Sequence, residues 1–118
     1  MAIYQYRLEL ISHKGGHASS ELGGAYNSIE DALGQLWQAL GYHMRRDDMP
    51  IIYGAAIERV CEKCEGLGSI GKRVIKTCPS CKGKGLFVEQ TIISLPIETI
   101  RHILAATWWY GEGQRPAA

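Results

Sequence analysis

The pattern Cys-x-x-Cys-x-Gly-x-Gly occurs twice in this sequence, first from Cys61 to Gly68 and again from Cys78 to Gly85. Two residues between the cysteines of a pair allow both thiolates to reach one metal ion. Two such pairs complete the tetrahedral sulfur shell that zinc favours in structural sites. We therefore predict one structural Zn²⁺ ion, bound by Cys61, Cys64, Cys78 and Cys81. Four thiolates leave no open coordination position, which argues against metal catalysis.

The glycines of the pattern are expected to shape the chain around the metal. After the second cysteine of each pair the backbone must turn back around the ion, which favours positive φ and amide groups directed at the sulfurs. The glycines assigned to this role are Gly66, Gly68, Gly83 and Gly85. A redox dithiol is the alternative interpretation of a single Cys-x-x-Cys motif, but its duplication with matching glycines favours zinc.

The repeated motif resembles half of the cysteine-rich zinc region of DnaJ co-chaperones, whose full form has four repeats and two zinc ions. The resemblance covers residues 61–85, which we call the knob, and the sequence lacks the His-Pro-Asp signature of a J-domain. A single-zinc pair of this kind is also similar to anti-TRAP and to the zinc region of late antiterminators from lambda-like phages. Those proteins are compact regulators that grip a partner protein. The resemblance therefore implies a phage-like regulator or inhibitor.

The chain before the knob has the pattern of a small α+β domain. Apolar and polar residues alternate over residues 3–12, which predicts a strand. Residues 13–24 combine glycine and serine without periodicity, so we predict a loop there. Capping-box spacing at residues 27–31 predicts the start of a helix, and Gly41 is placed to end it. The apolar stripe predicted for this helix comprises Ile29, Leu33, Leu36, Trp37 and Leu40.

The segments that flank the knob are expected to pair. Residues 51–60 and 86–94 are rich in apolar and β-branched side chains and predict two strands, which the zinc ion would hold side by side as an antiparallel pair. Pro96 opens a predicted final helix that packs on the sheet. The predicted order is strand, helix, strand, zinc knob, strand and helix, in a single domain of residues 1–110 followed by a flexible tail at 111–118.

Charge is concentrated around the knob. The whole chain carries a formal charge of only +1, which excludes a strong general attraction for nucleic acid. Residues 58–85 nevertheless hold seven basic and three acidic side chains. The turn between the two motifs contains the candidates for binding nucleic acid or an acidic protein surface, Lys72, Arg73 and Lys76. The alternative is that these residues only solvate the hairpin, which the lack of interleaved aromatic residues favours.

Three adjacent aromatic residues end the last predicted helix, namely Trp108, Trp109 and Tyr110. Three consecutive side chains cannot all face one core, so we expect at least one to be exposed as a contact for a partner or for a second subunit. A homo-oligomer is one form that this contact could take. The alternative is that these rings close the core of the domain.

No catalytic constellation stands out in the sequence. His13, His17, His43 and His102 lack evident partners, and we find no phosphate-binding glycine motif, paired catalytic carboxylates or nucleophile elbow. The absence of an apolar run of about 20 residues predicts a cytoplasmic protein without a membrane partner. The sequence therefore predicts a small, non-enzymatic, zinc-binding regulator or inhibitor that binds a protein target. The alternative is a transcription regulator that binds nucleic acid through the basic hairpin.

Overall fold

Four strands form one antiparallel sheet, and two helices pack on it. The computed structural model describes residues 2–13 and 16–111, with residues 107–111 described by their backbone alone. In chain order the elements are β1 (Tyr4–Ile11), β2 (Ala18–Tyr26), α1 (Ile29–Met44), β3 (Ile51–Val60), β4 (Ser69–Ile70), β5 (Lys76–Thr77), β6 (Leu86–Ser94) and α2 (Ile97–Gly111). The sheet has the strand order β2-β1-β3-β6, and β4 pairs with β5 inside the knob. The α+β class predicted from the sequence is confirmed.

The main core lies between α1 and one face of the sheet. Strand β1 alternates as predicted and directs Leu8 and Leu10 to this face, where they pack with Ala32 and Leu36 of the helix. Leu8 is fully buried. Burying one leucine side chain stabilises a fold by roughly 1.5–3 kcal/mol, so this layer holds the helix on the sheet.

The prediction of a loop at residues 13–24 is wrong over its second half, because Ala18–Tyr26 form strand β2 at the edge of the sheet. This strand is mostly exposed, and its sequence carries no regular alternation of apolar and polar residues. Its stability comes from antiparallel pairing with β1. Gly23 is needed there because a Cβ atom would overlap the ring of Tyr6 on the neighbouring strand. A glycine that indicated a loop in the sequence therefore serves close packing between strands.

Helix α1 begins as predicted but ends later. The Oγ atom of Ser28 accepts a hydrogen bond from the backbone N–H of Asp31 at 3.1 Å, which caps the first turn. The predicted end at Gly41 is wrong, because the helix continues to Met44 and buries His43. Trp37 is also not part of the buried stripe, since 76% of its surface is exposed. It follows the buried Leu36 by about 100° around the helix, which turns it away from the sheet.

His43 is not isolated, as the sequence suggested, but buried and hydrogen-bonded through both ring nitrogens. Its Nδ1 atom lies 3.1 Å from the guanidinium of Arg46, which can only donate, so Nδ1 accepts this bond. Nε2 then donates to Glu21 at 2.9 Å. The hydroxyl of Tyr6 donates to the other oxygen of Glu21 at 3.2 Å. Burial and the neighbouring Glu21 raise the pKa of Tyr6. This cluster connects β1, β2 and α1.

Replacement of this histidine, His43→Ala, is expected to lower the free energy of unfolding by about 1–3 kcal/mol, because Glu21 and Arg46 lose a buried partner. Urea unfolding of the metal-loaded protein measures the change. The matched control is His102→Ala, which removes an exposed histidine from α2 and should change stability by less than about 0.5 kcal/mol. Equal losses in the two variants would contradict a structural role for the buried cluster.

The strands that flank the knob pair as predicted. Strands β3 and β6 are antiparallel, with Val60 opposite Leu86 at the entrance of the knob. Helix α2 packs on the sheet through a second cluster in which Ile100 and Leu104 contact Ile11. Ile11 is adjacent to Leu10 on β1 and therefore lies on the opposite face from the core under α1. The two helices thus cover different faces of the sheet.

Two predictions fall on parts of the chain that the structure does not describe. The backbone of α2 passes through Trp108, Trp109 and Tyr110, but their side chains lie outside the described residues. Residues 112–118 of the predicted tail also lie outside them. Within residues 2–13 and 16–111, neither helix combines the length and apolar character needed to cross a bilayer.

Candidate metal centre

The four cysteines meet in one buried cluster beyond the paired ends of β3 and β6. Their four Sγ atoms lie within 4.8 Å of one another. Cys61 and Cys78 have their sulfurs 3.8 Å apart, and Cys64 and Cys81 have theirs 3.6 Å apart. A tetrahedral ion about 2.3 Å from each sulfur would separate the sulfurs by about 3.8 Å, whereas a disulfide requires about 2.05 Å. The cluster therefore has the spacing of a metal shell and could hold one ion.

The cysteines form the centre of their own small core. None of the four exposes more than 3% of its surface, and Ile70 and Phe87 pack against the group. Among residues 61–85, the buried residues other than the four cysteines are two glycines, Gly68 and Gly85. A metal ion bound by all four sulfurs would thus add a strong link between the two cysteine pairs.

The surroundings of three of the cysteines shift their pKa values in different directions. A hydrogen bond from the backbone of Cys64 lowers the pKa of Cys61 to about 6. Burial raises the pKa of Cys64 to about 11. Burial also opposes ionisation of Cys81, but hydrogen bonds from the Gly85 amide and the Cys64 thiol bring its pKa below the ordinary value. A divalent ion would remove this conflict, because its charge stabilises four neighbouring thiolates together.

Each cysteine pair is closed by the glycine turn that follows it. The amide of Gly68 donates a hydrogen bond to Cys64 Sγ at 3.2 Å, and the amide of Gly85 donates one to Cys81 Sγ at 3.1 Å. The four predicted glycines have positive φ values, namely Gly66 (82°), Gly68 (81°), Gly83 (84°) and Gly85 (78°). N–H donors stabilise thiolates, so the turns prepare the sulfurs to bind a cation.

The two cysteine turns also bind each other through their backbones. The amide of Cys61 donates to the carbonyl of Gly85 at 2.8 Å, and the amide of Cys78 donates to the carbonyl of Gly68 at 3.0 Å. These two bonds are related by the internal repeat of the sequence. A Cβ atom on Gly68 would overlap the carbonyl of Gly83, and one on Gly85 would overlap the carbonyl of Gly66. The turns therefore pack backbone against backbone, which only glycine allows.

The basic residues predicted as partner contacts lie around the β4–β5 hairpin at the outer part of the knob. Lys72, Arg73 and Lys76 are exposed, and none is paired with a carboxylate in the described part of the chain. They are grouped in the structure because the hairpin links the two cysteine pairs. Lysine and arginine side chains are cationic and do not bind zinc, so these residues take no part in the metal shell.

Sequence reasoning missed the exposed aliphatic residues of the knob. Leu67, Val74 and Ile75 expose 78%, 67% and 63% of their surfaces. Their exposure could have been predicted from the sequence. A short segment between two pairs of metal ligands has no apolar layer against which these side chains could pack.

Comparison with protein-family models, curated proteins and solved structures found no match for this chain. The interpretation of the metal centre therefore rests on its geometry and donor chemistry.

Proposed function

We propose that this chain is a small, non-enzymatic zinc protein that acts as a regulator or inhibitor by binding a protein target through its knob. Four thiolates in a tetrahedral arrangement are typical of structural zinc, which supports zinc as the metal. A shell completed by four sulfurs leaves no position for water or substrate, so the ion would act as scaffold. Recognition would then belong to the surface that the ion supports.

The observation that carries this proposal is the exposure of three aliphatic side chains on the knob. Leu67, Val74 and Ile75 are each more than 60% exposed, in a segment with no core of its own beyond the metal cluster. Exposed aliphatic groups on a rigid support are typical of protein contact surfaces. The basic residues beside them would complement a target whose apolar patch is rimmed by carboxylates.

Affinity capture with matched variants tests this proposal. The tagged, zinc-loaded protein is incubated with an extract of its native cells, and the retained proteins are compared across variants. The amount of target retained by the triple variant Leu67→Ser, Val74→Ser, Ile75→Ser should be at least about tenfold lower, because this variant removes the apolar contacts. The control Leu22→Ser replaces a residue that is 54% exposed on β2 and should retain the target. No retained protein, or equal retention by both variants, would contradict the proposal.

A second candidate function is nucleic-acid binding by the basic hairpin, which Lys72, Arg73 and Lys76 favour because none of them pairs with a carboxylate among the described residues. Against it, the knob sequence contains no aromatic residue on which a base could stack. Electrophoretic mobility shifts at low salt distinguish the two functions. Nucleic-acid binding requires a salt-dependent shift that is lost when the three basic residues become alanine but survives the aliphatic triple variant.

A further inference from the structure

The face of α1 that points away from the sheet has a symmetric pattern. It comprises Glu30, Gly34, Trp37, Gln38, Gly41 and Arg45, the last being the residue that caps the helix. Successive members are separated by four, three, one, three and four positions, so all six fall on one side of the helix. The buried residues of α1, Ala32, Leu36 and His43, fall on the other side. The spacings between the six residues are therefore the same whether they are counted from Glu30 or from Arg45.

Nothing within residues 2–13 and 16–111 explains the small residues on this outer face. A glycine inside a helix costs about 1 kcal/mol relative to alanine. A Cβ atom on Gly34 would meet no atom within 4 Å, and one on Gly41 would meet only the flexible guanidinium of Arg45, at 3.3 Å. Between these two glycines lies Trp37, with 76% of its surface exposed. The face thus combines an exposed indole with two glycines that no described neighbour requires.

We propose that two copies of this chain associate through the outer face of α1, with the two helices antiparallel about a two-fold axis between Trp37 and Gln38. That axis places Gly34 of each copy opposite Gly41 of the other, so the interface contains two such glycine pairs. The glycine pairs allow the helix backbones to approach closely, and each indole lies over the backbone of the other helix. Each Trp37 is thereby removed from water.

Charge complementarity identifies a second copy as the occupant. The same axis places Glu30 at the acidic start of one helix opposite Arg45 at the basic end of the other, and the symmetry repeats this pair. Neither side chain forms an ion pair within the described residues of one chain. Antiparallel helix dipoles add to the attraction. A face that is complementary to itself is the requirement for an isologous dimer.

Charge reversal combined with mixing tests the dimer. Sedimentation velocity of the metal-loaded full chain, from about 1 µM to about 500 µM, should show a dimer that forms with increasing concentration. Glu30→Arg alone should be monomeric, because two pairs of positive charges then face each other. Arg45→Glu alone should also be monomeric, with two pairs of negative charges. An equimolar mixture of the two variants should form a heterodimer in which both ion pairs are restored.

Two further variants define the interface. Glu98→Arg makes the same change in the first turn of α2 and should leave the dimer intact. Trp37→Ala should weaken association at least about tenfold, because it removes the central aromatic contact. Helical circular dichroism verifies that each variant is folded. Should one charge reversal fail to fold, Glu30→Gln and Arg45→Gln replace the reversals, and each should weaken the dimer.

A chain that stays monomeric over the whole concentration range would overturn this proposal. A dimer that survives either charge reversal, or a mixture that fails to restore association, would do the same. The knob residues take no part in this interface, so the outcome is independent of whether the knob binds a target.

Discussion

Removal of the metal ion is expected to unfold the knob and to lower the thermal midpoint of the protein by at least about 10 °C. Apart from backbone hydrogen bonds between its turns and the packing of Ile70 and Phe87, the knob has little other stability, because its buried residues are the four cysteines and two glycines. A structural zinc site supplies roughly 10–16 kcal/mol of apparent binding free energy, far more than so few contacts could replace. Calorimetry before and after chelation measures the midpoint, and amide hydrogen exchange over residues 61–85 locates the loss.

A ligand variant and its control separate metal loss from other effects of chelation. Cys64→Ser should reproduce the unfolding of the knob, because a hydroxyl is a poor replacement for one of four thiolates. Ser80→Ala changes an exposed residue between the cysteines of the second pair and should leave the midpoint within about 2 °C of the parent. The main core around Leu8 and Leu36 should stay folded in all three samples. An unchanged midpoint in protein shown by elemental analysis to be free of metal would disprove the scaffold role.

Gly68→Ala is expected to cost at least about 3 kcal/mol of stability and to weaken metal binding by a comparable amount. Two effects combine at this position. The residue has φ of 81°, which disfavours any side chain. Its Cβ atom would also lie 3.1 Å from the carbonyl carbon of Gly83 and closer still to the oxygen, and both belong to backbone that cannot move without disturbing the second cysteine turn.

Gly66→Ala is the matched control, since its φ of 82° is nearly the same. A Cβ atom there would meet only a methyl group of Val60, at 3.1 Å, so we expect a loss of about 1–2 kcal/mol from backbone conformation alone. Thermal unfolding and competition with a chromophoric chelator measure both quantities. The internal repeat supplies a second test, in which Gly85→Ala should resemble Gly68→Ala and Gly83→Ala should resemble Gly66→Ala. Equal losses at Gly66 and Gly68 would refute the close approach of the two turns.

The elements predicted correctly have strong local signals. Strand β1 buries Leu8 and Leu10 on one face, so alternation marks it in the sequence. The strands that flank the knob were predictable as a pair because the two cysteine pairs bring the ends of the segment together. Strand β2 lacked such a signal. Its side chains are mostly exposed, and its place at the edge of the sheet depends on backbone pairing with the preceding strand, β1.

The spacing of apolar residues was also insufficient to predict which individual side chains of α1 are buried. A stripe of apolar residues placed Trp37 in the core, but the sheet accepts only the narrower stripe centred on Leu36. His43 appeared isolated because its partner Glu21 belongs to the strand that was not predicted. A missed strand therefore also concealed the buried polar cluster to which it contributes.

The sequence by itself determined that four cysteines in two glycine-rich turns would form one cluster, with the spacing of a metal shell, between two paired strands. This follows because ligand spacing and backbone freedom are properties of short segments. Only the tertiary structure decided that Ala18–Tyr26 would be a strand, that His43 would be buried, and that Trp37 would face outward. Those outcomes depend on which side of α1 meets the sheet and on the pairing of β2 with β1, and packing between elements sets both.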